Sequence, residues 1–124
     1  MKYIFDTNAV IYYLEGKIVL DINDDDFIGI SVISEIELFG KDISEEENRI
    51  IMSFLDQMKR IGLDDEIKNK TIELRKRKKL KIPDAIIAAT AIVNEATLLT
   101  ADKELLKKLD DENVKNPLEL QNTK

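Results

Sequence analysis

Hydrophobic and polar residues change their spacing several times along the chain, and each change predicts a new structural element. Short apolar runs of strand-like composition occur at residues 2–5, 27–31, 60–63, 97–100 and 114–116. The segments between these runs place apolar residues at helical spacing. Strands and helices that alternate and are joined by short links predict an α/β domain with a largely parallel sheet.

The predicted helices carry recognisable start and stop signals. Ser44 followed by Glu47 is a capping-box pattern, and the helix that it opens carries an apolar stripe that includes Ile50 and Phe54. Pro83 suits the first turn of a helix over residues 84–94, which is apolar on every side and is therefore expected to be buried. The other predicted helices span residues 8–15, 32–39, 64 or 65 to 78, and 102–109.

The composition excludes several kinds of chemistry. The 124 residues contain neither cysteine nor histidine, so Ser-His-Asp and Cys-His catalysis are impossible and a zinc site is disfavoured. A hydrolase of this composition must use carboxylates and, by preference, a hard cation bound by oxygen ligands. No apolar run approaches the roughly 18–20 residues that span a bilayer. We expect a cytoplasmic protein with one domain over residues 1–120 and a frayed end at residues 121–124.

Charge is unevenly distributed along the sequence. The formal net charge of −6 argues weakly against a nucleic-acid partner. However, residues 68–81 are rich in Lys and Arg, and residues 21–26 are rich in Asp. A basic stretch beside an acidic pocket suits a metal-dependent nuclease, although the same charges also suit an ordinary solvated surface. On the first interpretation, RNA phosphates contact Lys76, Lys78, Lys79 and Lys81.

Acidic residues occupy positions where an open parallel sheet binds ligands. Asp6 directly follows the first predicted strand, and Asp102 lies just past the strand at residues 97–100. Each is also a good helix N-cap, which is the structural alternative. Asp84 opens the buried helix, where the helix dipole favours a carboxylate, and capping is again the alternative.

These acids create an electrostatic problem if they converge. At about 4 Å and an effective dielectric near 20, each pair of like charges costs roughly 4 kcal/mol. Divalent cations relieve that repulsion, and they also activate water and stabilise in-line displacement at phosphorus. A convergent set of carboxylates therefore predicts a metal site for phosphodiester chemistry that needs no histidine.

Four segments, at residues 3–8, 82–91, 98–102 and 114–120, follow one another along nearly the whole chain and carry recognisable motifs. Together they resemble the PIN-domain family and, within it, the VapC-like toxins of toxin–antitoxin pairs. Residues 3–8 (YIFDTN) are similar to the family's opening strand followed by Asp-Thr-Asn. Residues 82–91 (IPDAIIAATA) resemble its Asp-Ala-x-x-Ala-Ala-x-Ala helix, and residues 98–102 (LLTAD) resemble its strand-Thr-x-Asp turn. Residues 114–120 are similar to the usual ending of the family.

A further match concerns residues 30–40 (ISVISEIELFG), where helical spacing alone does not choose between Glu35 and Glu37. The resemblance favours Glu37 as the site acid. It implies a three-layer α/β/α sandwich with a four- or five-stranded, largely parallel sheet, and endoribonuclease activity. It also implies a homodimer, a small antitoxin partner, and Mg²⁺ or Mn²⁺ held by Asp6, Glu37, Asp84 and Asp102. Hydrogen bonds that orient the ligands and water would come from Thr7 or Asn8 and from Thr100.

Two other functions compete with this one. A phosphatase of the haloacid-dehalogenase type also places an Asp after its first strand, but it needs a second Asp two residues later, where this chain has Asn8. The non-enzymatic alternative is a PIN-like scaffold that binds RNA or protein without cutting. The presence of all the family's acids argues against it.

Overall fold

The computed structural model describes residues 1–120, in which five strands form one sheet with every neighbouring pair parallel. The strands are β1 (Lys2–Phe5), β2 (Phe27–Ser31), β3 (Lys59–Ile61), β4 (Thr97–Leu99) and β5 (Val114–Lys115). Their order across the sheet is β3-β2-β1-β4-β5. The first strand therefore lies at the centre, with β2 on one side and β4 on the other. The predicted α/β class and parallel sheet are confirmed.

Helices connect the strands and cover both faces of the sheet. They are α1 (Thr7–Leu14), α2 (Val32–Phe39), α3 (Glu45–Leu55), α4 (Asp65–Lys78), α5 (Ile82–Val93), α6 (Lys103–Lys108) and α7 (Pro117–Leu120). The predicted capping box forms, since the Glu47 amide donates to Ser44 Oγ over 3.1 Å and the Ser44 amide donates to Glu47 Oε1 over 3.2 Å. Within residues 1–120, no helix is long and apolar enough to cross a membrane.

The sheet separates two hydrophobic clusters. Ile4 packs on one face with Leu98 and the buried residues of α4 and α5, and Phe5 packs on the other face with Val10, Leu38 and other residues. Neighbouring residues of a strand point to opposite faces, so one strand supplies both clusters. Helix, sheet and helix thus form the three layers that were expected.

Helix α5 is buried against the sheet, and strand β2 carries a glycine in a crowded position. All of its residues from Ala85 to Ala91 are buried, as the apolar sequence predicted. On β2, a Cβ atom added at Gly29 would lie 2.9 Å from Ile4 Cδ1 and 3.1 Å from Ile61 Cδ1. The absence of a side chain at Gly29 therefore leaves room for the side chains of Ile4 and Ile61 on the neighbouring strands.

Some boundaries differ from the predicted ones. The third strand is Lys59–Ile61 rather than residues 60–63, and helix α7 was not predicted. Helix α5 begins at Ile82, two residues before the predicted start. The predicted frayed end at residues 121–124 lies outside the described residues, and the single domain over residues 1–120 stays a prediction.

Candidate active site

The carboxyl ends of β1 and β4 meet at one edge of the sheet. Phe5 pairs with Leu99 across the two strands, and the Asp6 amide donates to the Leu99 carbonyl over 3.1 Å. A cavity of about 440 Å³ opens at this edge. Its lining is Asp6, Thr7, Asn8, Glu37, Gly40, Lys41, Asp84, Ile87, Asp102 and Leu105. The four acids proposed from the sequence therefore line one cavity.

Asp6 is a buried carboxylate with a structural contact of its own. It is 7% exposed, and its Oδ1 atom accepts the Ala9 amide over 2.8 Å, which caps α1. Burial, with smaller repulsion from Asp102 and Asp84, raises the pKa of Asp6 to about 6, although hydrogen bonds from Thr100 and Ala9 oppose the shift. The charged form of Asp6 is therefore disfavoured in the metal-free protein.

Asp102 caps the neighbouring helix in the same way. Its Oδ1 atom accepts the amides of Glu104 over 2.9 Å and Leu105 over 3.1 Å, at the start of α6. The Asp102 amide donates to Oγ1 of Thr100 over 3.1 Å, and Thr100 is fully buried. The Thr100 hydroxyl thus links the two strand-end acids, Asp6 and Asp102. Both acids cap helices, so the structural alternative is correct for each without excluding a role in the site.

Asp84 differs because it caps nothing. Helix α5 starts at Ile82, its N-cap is Lys81, and no side chain provides a capping hydrogen bond. The capping interpretation of Asp84 is therefore wrong, since the carboxylate lies inside the first turn. Burial, followed by repulsion from Asp102 and Glu37, raises the pKa of Asp84, and Lys81 opposes the shift. The fold thus holds Asp84 close to other acids.

The structure separates Glu37 from Glu35. Glu37 lines the cavity, and its Oε1 atom accepts a hydrogen bond from the Thr7 hydroxyl. Glu35 lies on another side of α2, where its carboxylate is 3.5 Å from Nε of Arg60. An ion pair thus occupies Glu35, whereas Glu37 faces the other acids, as the resemblance favoured.

The basic residues named from the sequence do not line the cavity. Lys78 donates to the Lys108 carbonyl and pairs with Asp111, so it is engaged elsewhere, while Lys81 is close enough to oppose the pKa shift of Asp84. The cation that does line the cavity is Lys41, which the sequence analysis missed. Because Lys41 follows the end of α2 in a loop, helical spacing offered no signal for it.

The donor set suits a hard divalent cation. Carboxylate oxygens are preferred ligands of Mg²⁺ and Mn²⁺, and the capping bonds of Asp6 and Asp102 use only the Oδ1 atoms. Within residues 1–120, however, no group of three acidic side chains stands in an arrangement that could hold an ion. Holding an ion would bring these carboxylates closer together, and Asp84 is available for that because it caps no helix.

Most of the chain matches a known family. The family model of the PIN domain matches residues 3–112. The chain belongs to the PIN domain family. The resemblance seen in the sequence is thereby confirmed, and the sandwich described above is this family's fold.

Solved structures with this PIN fold include several toxin–antitoxin assemblies. VapBC-1 from nontypeable Haemophilus influenzae matches with a TM-score of 0.76 and 21% identity, over 94% of this chain and 98% of that one. A toxin–antitoxin complex from Klebsiella pneumoniae matches with a TM-score of 0.76 and 27% identity, over 93% and 97% of the two chains. VapBC2 from Rickettsia felis, bound to a DNA fragment from its promoter, matches with a TM-score of 0.75 and 21% identity, over 94% and 98%. No curated protein matches the chain.

Proposed function

We propose that this PIN domain is a metal-dependent endoribonuclease that cleaves RNA phosphodiester bonds as the toxin of a toxin–antitoxin pair. The observation that carries the proposal is the cavity lined by Asp6, Glu37, Asp84 and Asp102 at the carboxyl edge of the sheet. Asp84 is the most informative of these, because it caps no helix and lies among like charges.

Each acid has a proposed role in holding Mg²⁺ or Mn²⁺. Asp6 and Asp102 offer the carboxylate oxygens that do not cap a helix, and Thr7 orients Glu37 through its hydroxyl. When bound, the cation supplies water activation and neutralises charge at the phosphate. Asn8 at the cavity wall and Thr100 beneath Asp6 are proposed to orient ligands and water by hydrogen bonds.

The proposed partner is a small antitoxin that inserts a cation into the cavity. Arg suits carboxylates because its planar fork binds both oxygens, and the site we expect it to reach lies between Asp6 and Asp84. The structures of similar fold that are toxin–antitoxin complexes support this partner. A pulldown from the native host should recover such a protein, and recovery of RNA or chaperones alone would contradict it. The homodimer that the resemblance implies is tested by light scattering of the purified protein.

Cleavage and melting experiments together test the function. The parent should cut a labelled RNA with magnesium and not with chelator, and it should be stabilised by about 2.7 kcal/mol at a hundredfold excess of magnesium over its dissociation constant. Asp84→Asn should lose cleavage and most of that stabilisation. A parent that binds RNA without cutting it under any metal would instead support the non-enzymatic PIN-like module.

A further inference from the structure

A second depression adjoins the carboxylate cavity. It has a volume of about 470 Å³ and lies between the end of α2 and the start of α3, and its lining includes Phe39, Ser44, Asn48 and Arg49. We call it the α2–α3 groove. Lys41 lines both this groove and the carboxylate cavity, so the two spaces meet at its side chain.

The cations of the α2–α3 groove are not committed to other contacts. Lys41 and Arg49 are exposed, and among the residues described neither forms an ion pair. Some other basic residues are engaged, since Lys70 and Arg77 both pair with Glu73 on α4. Side chains that remain unpaired can bind phosphate without first breaking an internal contact.

Charge distinguishes the groove from another side of the cavity. Asp42 and Glu45 also line the groove, so they balance Lys41 and Arg49. On the α6 side, the described lining of the cavity is Asp102 and Leu105, and it includes no cation. An anionic chain that leaves the cavity towards α3 therefore passes Lys41, whereas one that leaves towards α6 passes Asp102.

On the proposed function, an endonuclease substrate continues beyond the scissile bond and must leave the cavity. Asp6 is buried in that cavity, a position that one strand reaches more readily than a duplex. We infer that one flank of a single-stranded RNA leaves through the α2–α3 groove, where Lys41 and Arg49 contact its phosphates. Asn48 lies beside this path and offers an amide to a base or sugar.

Steady-state cleavage of a labelled, unstructured RNA tests the path. Lys41→Gln/Arg49→Gln should raise KM about tenfold with a smaller change in kcat, because binding along the flank is lost equally in the ground and transition states. The dependence of log(kcat/KM) on log salt should become shallower by about 1.4, or about 0.7 for each lost contact with a single strand. Melting curves of both proteins check that the exposed substitutions leave the fold intact, and Arg49→Gln alone should give about half the change in slope.

The matched control is Lys2→Gln/Lys59→Gln, which removes the same charge. Lys2 and Lys59 begin β1 and β3, so they lie at the amino ends of the strands, opposite to the cavity. Unchanged slopes in both pairs would overturn the path. A salt slope that changes only in Lys76→Gln/Lys79→Gln/Lys81→Gln would also overturn it. So would a loss of antitoxin binding in Lys41→Gln/Arg49→Gln with no change in RNA cleavage. If the parent binds RNA without cutting it, the proposed function fails. The salt dependence of RNA affinity in the same variants then still tests whether RNA lies in the α2–α3 groove. If the parent does neither, both proposals fall.

Discussion

The candidate site joins two kinds of acidic position. Asp6 and Asp102 follow strands, and each carboxylate caps a helix by accepting backbone amides. Asp84 lies in the first turn of α5 and caps nothing, because the helix begins at Ile82. The strand-end acids therefore contribute to folding whatever the protein does, whereas Asp84 mainly adds like charge. An acid that the fold does not need is the stronger indicator of function.

RNA cleavage should depend equally on both kinds of acid, and substitutions that abolish it give the largest expected effect. Asp6→Asn and Asp84→Asn should each reduce the rate of RNA cleavage in magnesium on the order of 10³-fold, because each removes a proposed metal ligand. Asn retains an oxygen that can accept the Ala9 amide, so Asp6→Asn keeps the cap of α1.

Asp64→Asn is the matched control for charge and capping. Asp64 caps α4 by accepting the Ile67 amide over 2.8 Å, and it does not line the cavity. Its cleavage rate should equal that of the parent. If Asp84→Asn retains cleavage activity, then Asp84 is not an indicator of function.

The pH dependence of stability should distinguish Asp6 from an ordinary capping Asp. Burial raises the pKa of Asp6 from 3.8 to about 6, so between these values the folded protein retains a proton that the unfolded chain has lost. The free energy of unfolding without metal should therefore fall by roughly 3 kcal/mol as the pH rises through this window. Chelator-treated samples unfolded in urea at several pH values measure it.

Asp6→Asn should be free of this contribution, so the parent-minus-variant difference isolates it. Asp84, whose pKa is also raised, contributes in the same direction and remains in both proteins. Magnesium should oppose the fall in the parent's free energy of unfolding as the pH rises, because a bound cation favours the ionised carboxylate. A parent and variant that lose stability in parallel would show that Asp6 is ionised at little cost.

Truncation to Ala should reveal the contrast in stability. Near pH 4, where folded Asp6 keeps its proton and no buried charge is relieved, Asp6→Ala leaves the Ala9 amide without its acceptor and should destabilise the metal-free protein by about 1–2 kcal/mol. Asp84→Asn should instead stabilise the metal-free protein by roughly 1–2 kcal/mol, since repulsion falls and no cap is lost. Thermal melts in chelator compare the two, and a lower melting temperature for Asp84→Asn would contradict the comparison.

The smallest effect concerns a neutral group. Ser34 is fully buried in α2, and its hydroxyl has no hydrogen-bond partner among the described residues. Ser34→Ala should be neutral or should stabilise the protein by about 0.5 kcal/mol, because Ala favours the helix and no bond is broken. Urea unfolding at neutral pH tests this prediction. A loss above about 1 kcal/mol would reveal a hidden partner of Ser34.

Local signals in the sequence were sufficient for much of the fold. The capping box at Ser44 and the apolar helix after Pro83 were both recognised, because each depends on residues within a few positions of one another. Strand order is different, since the pairing of Tyr3 with Thr97 joins distant parts of the chain and no local pattern specifies it. The four-residue helix α7 is too short to show a period.

The same limit applies to the site. The acids could be proposed one by one, but their convergence depends on the order of strands across the sheet. Capping by Asp84 was compatible with Pro83, and only the folded chain, in which α5 begins at Ile82, excludes it. Lys41 enters the cavity from a loop, and the contact of Lys78 with Asp111 is made between separate elements.

The central position of β1 has a consequence for synthesis of the protein in the cell. Asp6 emerges from the ribosome early, but β1 acquires its second neighbour, and the cavity acquires Asp102, only after β4 has been translated. Until then, a nascent chain holds an incomplete set of acids. On the proposed function, the nascent chain therefore has no complete site until β4 and Asp102 have been made.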